Sequence, residues 1–308
     1  MSKLFFLLTN FILLLLPFLG SKATAQEPTI RPYPMHERAI LWQIEGNGIK
    51  TKSYIFGTVH LIDSANFYFP KKLEKILSKS DVLTMEIAGI PDAGDAMGLM
   101  LLKEGSFFDY FTPEQTDSII TWVKEHTSFT EKTFRMMAGK MRPFVVSQLL
   151  TEMDKKNPNA GMKSKKSYEV ELEKIAKEKK LQIDGLETVD EQLGFFDGMS
   201  IEQQSEMVMM TIRGDSTSGE DETSKIYELY RAQDLDGLYE MIAEGTNSME
   251  GMQDILLDNR NKNWIPKIEQ MITEKSTFIA VGSGHLGGPN GVIRLLEARG
   301  YTLTPVEL

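Results

Sequence analysis

SYIFGTVHLID, residues 53–63, is an apolar run that ends on Gly57 and delivers His60 three residues later; TFIAVGSGHLGG, residues 277–288, repeats the arrangement with Gly282 and His285. In each, β-favouring residues stop at a glycine, which predicts a strand with a histidine just beyond its carboxyl end. Glycine tolerates a left-handed or closely approached backbone there, so the ring can fold back over the sheet edge. The chain has only four histidines in 308 residues, and two of them occupy this one pattern.

Working outward from the first copy, AILWQIEG (39–46) is another β-favouring run joined to it through Asn47-Gly48, the signature of a hairpin. PKKLEKILSKS (70–80) sets Leu73, Ile76 and Leu77 at helical spacing behind Pro70 and leads into the strand-like DVLTMEI (81–87). Strand, helix, strand predicts a right-handed βαβ unit. YEVELEKIAKEKK (168–180) leads in turn to LQIDGLE (181–187), and the second glycine–histidine copy leads to GVIRLLEARG and YTLTPVEL. This alternation predicts an α/β fold: a three-layer core with a mainly parallel sheet, an N-terminal hairpin and a helical insertion or cap.

The insertion is expected around residues 92–166. In it, TPEQTDSIITWVKEH (112–126) opens with a capping box of Thr112 and Gln115, and one long helix over residues 131–154 is disturbed at Pro143. A second helical region is expected around residues 188–275, with RGDSTSGEDETSK (213–225) as a polar, flexible loop or the edge of a mobile helical cap. Residues 26–308 together read as a single domain. KKNPNAGMKSKKS (155–167) reads as a solvated basic loop, and the methionine-rich EMVMM and FRMMAGKM read as helix core rather than an adaptable groove.

The first residues have the layout of a secretory signal: Lys3, an apolar stretch from Leu4 to Leu19, then SKATAQ with Ala23 and Ala25 forming an A-x-A site. Cleavage is expected between Ala25 and Gln26, which makes residues 1–25 a signal peptide and the protein exported, periplasmic or secreted, with no stable membrane span after cleavage. There is no cysteine, so neither a lipid-bearing thiol nor a disulfide is available, and stability must come from the core. Residues 1–25 carry two lysines and no acids, so their removal takes the formal charge from −10 to −12. That balance repels a phosphate backbone and argues against nucleic acid as a partner.

In open α/β sheets, ligands gather beyond the carboxyl ends of the strands. His60, Glu86, Glu187 and His285 are all expected at such ends. Two imidazoles and a carboxylate buried in an apolar strand make a first shell for a catalytic divalent metal, so His60, Glu86 and His285 are the candidate ligands. Their mixed nitrogen and oxygen set does not choose among Mn, Co and Zn. Glu187 in GLETVDEQL (185–193) is a candidate orienter or general base, with a helix N-terminal charge as its plain alternative. Arg260 and Asn261, near Trp264 at the start of an amphipathic helix, are candidates for gripping a substrate carboxylate or an oxyanion; the plain alternative is a surface arginine beside a core tryptophan.

Gly282-Ser-Gly284-His-Leu-Gly287 also matches G-x-G-x-x-G, but the short stretch that follows leaves no third strand for a dinucleotide-binding half. Cysteine nucleophile, G-x-S-x-G elbow, H-E-x-x-H helix and Walker loop are all absent, and hydrolysis by metal-activated water survives these exclusions. His36 and His126 have no such context and are read as structural.

Together, LWQIEGNGIKTKSYIFGTVHLID (41–63), the strand at 81–87, GLETVDEQL, NRNKNW (259–264) and GSGHLGGPNGVIRLLEARGYTLTPV (282–306) resemble the TraB/GumN family, which is similar to the TIKI metalloproteases and more distantly to ChaN and erythromycin-esterase-like proteins. The resemblance implies an α/β core with the two Gly-x-x-His motifs and a glutamate at a divalent metal, and proteolysis of a peptide or protein substrate in the TIKI branch. It also implies the alternatives: a haem, metal or small-ligand binding protein without turnover, or a metal-independent esterase-like hydrolase.

Overall fold

The computed structural model describes residues 37–59, 62–88, 98, 100–153, 165–213, 220–246 and 251–308. The signal segment, His36 and His60 lie outside the described residues. In chain order come β1 (Leu41–Gly46), β2 (Ser53–Thr58), β3 (Ile62–Asp63), α1 (Lys71–Leu77), β4 (Val82–Ile87), α2 (Pro113–His126), α3 (Glu131–Ala138) and α4 (Pro143–Met153). They are followed by β5 (Lys165–Lys166), α5 (Tyr168–Lys179), β6 (Gln182–Glu187), α6 (Val189–Asp197), α7 (Ile201–Arg213) and α8 (Glu220–Arg231). The last are α9 (Leu235–Thr246), α10 (Asn259–Glu274), β7 (Thr277–Gly282), α11 (Val292–Ala298) and β8 (Tyr301–Pro305).

These elements form two compact units, one holding the sheet and one made of Pro91–Lys163 with Leu193–Thr223. The sheet runs in the order β6-β4-β7-β2-β1-β8, and only β1 is reversed: β6, β4, β7 and β2 pair in parallel, whereas β1 pairs antiparallel with both β2 and β8. The expected hairpin is present. Asn47 and Gly48 take positive φ angles of 49° and 81°, as a tight hairpin turn requires, and the turn closes through the Ile49 N–H donating to the Gly46 carbonyl at 3.1 Å.

The alternation of side chains along the strands sorts the layers. TFIAVG, the whole of β7, is buried because helices cover both faces of a parallel sheet. On one face, α5 brings Tyr168 edge-on to Phe56 with ring centroids 5.6 Å apart. On the other, Thr84 of β4 reaches Met271 of α10, and the α10 stripe Trp264, Ile265, Ile268 and Ile272 fills the space beneath. The result is the three-layer α/β core that the sequence predicts.

The glycine-rich stretch after β7 has a packing role. A Cβ on Gly287 would sit 2.1 Å from the Leu235 carbonyl oxygen, and one on Gly284 would sit 2.2 Å from Ile242 Cδ1, so α9 rests directly on this loop. The chain then crosses to β8, which pairs with β1 rather than beside β7. The G-x-G-x-x-G match therefore reflects a helix seat and not a mononucleotide-binding half.

The helical unit has its own core of Phe107, Ile119, Val123, Phe134, Val146 and Val208. Its capping box is reciprocal: Thr112 Oγ1 accepts from the Gln115 N–H at 3.2 Å, and Gln115 Oε1 accepts from the Thr112 N–H at 2.9 Å. The single helix expected over 131–154 is instead two. Gly139 caps α3, and Pro143 starts α4, since proline lacks the N–H a continuous helix needs and disfavours helical backbone in the residue before it. Met207, Met209 and Met210 are buried as helix core. The polar stretch 213–225 is also a correction: helix α8 begins at Glu220, because Ile226, Tyr227, Leu229 and Tyr230 give it an apolar face, while residues 214–219 lie outside the described residues. Lys165 and Lys166 form β5, paired with β3; the rest of the basic loop lies outside the described residues.

Because the atom facing Gly287 is backbone, Gly287→Ala cannot be relieved by a rotamer change. It is expected to lower unfolding free energy by about 2–3 kcal/mol, measured by urea denaturation of the purified chain.

Candidate active site at the carboxyl end of the sheet

Three adjacent parallel strands end close together. β4 brings Glu86, β6 brings Glu187, and β7 runs into the helical turn Ser283–His285. Over them lies the first part of α10, where Arg260 and Trp264, four residues apart, face the strand ends from one side of the helix. All the expected site residues that the structure describes are therefore brought together.

Arg260 is buried at the centre. Its Nη2 donates to Glu86 Oε2 and to Glu187 Oε1, each at 2.5 Å, and its Nε donates to Glu187 Oε2 at 3.2 Å. Nη1 donates to the Leu256 carbonyl at 3.1 Å and lies 3.2 Å from His285 Nε2. Leu256 belongs to a π-helical turn, Asp254–Asp258, that feeds directly into α10. Burial alone would pull the Arg260 pKa down, but the Glu86 and Glu187 carboxylates outweigh it and hold the guanidinium above its ordinary value.

Glu187 is saturated with donors. Besides the two from Arg260, Trp264 Nε1 donates to its Oε2 at 3.1 Å and Gln192 Nε2 donates to its Oε1 at 2.9 Å. Burial pushes its carboxyl pKa up, with the Glu86 charge adding to the rise and Arg260 opposing it. The other amide oxygen of this arrangement, Gln192 Oε1, is buried with no hydrogen-bond partner among the described residues.

His285 has an assigned tautomer. Asn261 Nδ2 donates to two backbone carbonyls, those of His285 at 3.2 Å and Asn290 at 2.9 Å, which fixes the amide so that its Oδ1 faces the ring. Oδ1 stands 2.7 Å from His285 Nδ1, so the Nδ1 proton donates to it and Nε2 carries the lone pair. Nε2 looks towards Glu86 Oε1 at 3.9 Å, and Oε1 itself accepts the Gly282 N–H at 2.8 Å. Gly282 has an ordinary φ of −53°, so the turn to His285 needs no left-handed backbone at this glycine.

His285 Nε2 and Glu86 Oε1 are suitable donor types for a divalent metal, but at 3.9 Å they stand wider than the ~3.4 Å set by tetrahedral bonds of about 2.0–2.2 Å, and Arg260 Nη1 lies 3.2 Å from the same nitrogen, so holding an ion there requires the pair to close and Arg260 to give way. An imidazole whose other nitrogen is held by a fixed acceptor is the usual form of a metal-bound histidine. No cluster of three or more such ligands occurs among the described residues, which do not include His60.

The TraB/PrgY/gumN family model matches residues 40–305, nearly the whole described chain and every element of this site. The chain belongs to the TraB/PrgY/gumN family. No curated protein and no solved structure matches it. In this TraB/PrgY/gumN chain the quoted motifs coincide with the strand ends and with the helix that covers them. Gln192, the Gly282 amide and the Leu256 carbonyl were not singled out from the sequence. Gln192 lies five residues after Glu187 within GLETVDEQL, a spacing visible once a helix is placed at residue 189; backbone groups leave no residue-type signal. His126, read as structural, stacks on Trp122 with ring centroids 4.5 Å apart in the helical unit.

Two measurements test this geometry. Arg260→Ala leaves two carboxylates buried without their counter-ion and is expected to cost about 3–5 kcal/mol in urea denaturation. Nitrogen-15 NMR of the neutral imidazole is expected to show His285 protonated at Nδ1, with Asn261→Ala shifting the proton towards Nε2.

Proposed function

We propose that this chain is an exported metal-dependent hydrolase that cleaves peptide bonds, with His285, Glu86 and His60 as the metal ligands. One observation carries the reading: Asn261 holds the His285 ring so that its unprotonated nitrogen lies 3.9 Å from the Glu86 carboxylate, on the side where Arg260 Nη1 now donates to it and where a metal would take that place. A second supports it, since the described site sets two carboxylates against one guanidinium and buried charge favours a further cation.

When bound, a divalent ion of Mn, Co or Zn type supplies Lewis acidity to water and to a substrate carbonyl. The chain's own residues do the rest. Glu187, with both oxygens occupied by donors, positions Arg260 and is not the proton acceptor. Arg260, with its N–H groups engaged by Glu86, Glu187, the Leu256 carbonyl and His285, positions these groups and acts on a substrate through its charge rather than through a free donor.

The test is cleavage of a mixed peptide library by the mature chain, followed by mass spectrometry with added Mn, Co or Zn and with chelator. Cleavage should stop with chelator and fall by more than about 100-fold in His285→Ala, since outer partners alone cost about 10–100-fold. Cleavage that resists chelator and survives in His285→Ala would overturn the reading; metal binding without cleavage would leave a binding protein. Export is tested separately by N-terminal sequencing of the cellular protein, expected to begin at Gln26.

A further inference from the structure

We propose that the sheet unit carries a second ligand site, for a multiply charged phosphate-bearing anion, at the end of the sheet opposite Glu86 and His285. A cavity of about 620 Å³ opens there, where β2, β4 and β7 begin and α1 ends. Its size falls within the range of about 300–1,000 Å³ typical of small-molecule sites.

Four lysines line it. Lys72, Lys75 and Lys79 follow one another at i, i+3 and i+7 along α1 and the turn after it, on the side away from the buried Leu73 and Leu77. Lys52 arrives from a different part of the chain, just before β2. Lysines on one helix face are commonly no more than its solvated side, but a fourth lysine converging from a separate strand onto the same cavity is not explained by helix amphipathicity. The concentration also runs against the whole chain, whose formal charge is −10.

These charges are poorly compensated. The side chains of Lys75 and Lys79 make no hydrogen bond or ion pair among the described residues. Lys72 Nζ donates to the Glu307 backbone carbonyl, which leaves its charge unneutralised. Lys52 Nζ donates to Gln43 Oε1 at 3.2 Å and has Glu45 at 3.4 Å, an exposed pair that solvent screens. Asp81 is the one acid in the lining, and its Oδ2 already accepts the Ser276 N–H at 3.1 Å.

The nature of the ligand follows from what opposes it. The cavity lies at the carboxyl end of α1, whose dipole disfavours an anion even though the Glu74, Ile76 and Leu77 carbonyls already accept from Ser78, Lys79 and Ser80, so a single negative charge gains little. Several charges on one ligand, each met by an ammonium point charge, overcome that field, and phosphate groups present them at high density. A soluble polyphosphate or phosphate ester and a phospholipid headgroup share this chemistry.

The test uses the mature chain at about 0.15 M salt, where long-range attraction is screened beyond about 8 Å. Calorimetric titration with tripolyphosphate is compared with flotation on vesicles containing cardiolipin, whose headgroup carries two phosphates. Saturable binding should weaken at least about tenfold in Lys75→Gln/Lys79→Gln, as expected for lost charge-assisted contacts. Lys103→Gln/Lys132→Gln, which removes the same charge from the helical unit, should bind like the unaltered chain. Calorimetric binding assigns the cavity to a soluble ligand, and vesicle binding without a calorimetric signal assigns it to a headgroup. No saturable binding to either probe, or equal loss in both double variants, would overturn the proposal. Neither altered lysine touches the strand-end site, so the outcome is independent of peptide cleavage.

Discussion

Glu86 and Glu187 end adjacent parallel strands, and the guanidinium of Arg260 between them is what makes their burial tolerable. Each carboxylate taken from water loses several kcal/mol of hydration. Arg260 returns part of that loss through contacts to both, and its planar fork fits the two oxygens of Glu187 in a way an ammonium group cannot reproduce. The same contacts fix α10. With Nη2 and Nε committed to carboxylates and Nη1 to Leu256, the helix has one rotational setting, and that setting puts Trp264 on Glu187 and Asn261 on His285.

The π-helical turn before α10 belongs to the same constraint. Asp258, its last residue, accepts from Asn290 Nδ2 at 2.7 Å and from Tyr239 at 3.3 Å, which ties the start of α10 to the loop after His285 and to α9. Asn290 in turn offers its carbonyl to Asn261. The histidine ring is thus held by a closed set of contacts that begins and ends on α10, and the glycines at 284 and 287 let α9 approach closely enough to complete it. Packing and polar satisfaction converge on one ring orientation.

Most of the fold was legible because the strands obey simple rules. TFIAVG reads as a strand buried on both faces and is one; Asn47-Gly48 reads as a hairpin turn and takes the positive φ angles. The helical boundaries at Gly139 and Pro143 were within reach, since both residues are ordinary helix terminators. The region 213–225 misled because its polar composition masks an apolar face that begins only at Ile226. At the site, Glu86, Glu187, Arg260, Asn261 and His285 were recognisable as residue types at strand ends or a helix start. What the sequence did not contain was their pairing. That Glu187 accepts four side-chain donors, and that Asn261 rather than a carboxylate sets the His285 tautomer, depends on the register of α10 over the strand ends. No local spacing encodes that register.

That pairing also bears on which ion the proposed function requires. A count of acids alone makes the site strongly anionic, yet Arg260 already spends Oε2 of Glu86 and both oxygens of Glu187. Among the described residues, a cation proposed to bind here would therefore meet one remaining carboxylate oxygen, shared with the Gly282 N–H, and an imidazole nitrogen that it must take from Arg260 Nη1. Hard cations such as calcium and magnesium draw their affinity from several oxygen ligands, which this arrangement withholds. Ions that bind imidazole nitrogen well lose much less, so under the proposed reading the arginine that stabilises the two glutamates favours Zn or Co over the harder Mn.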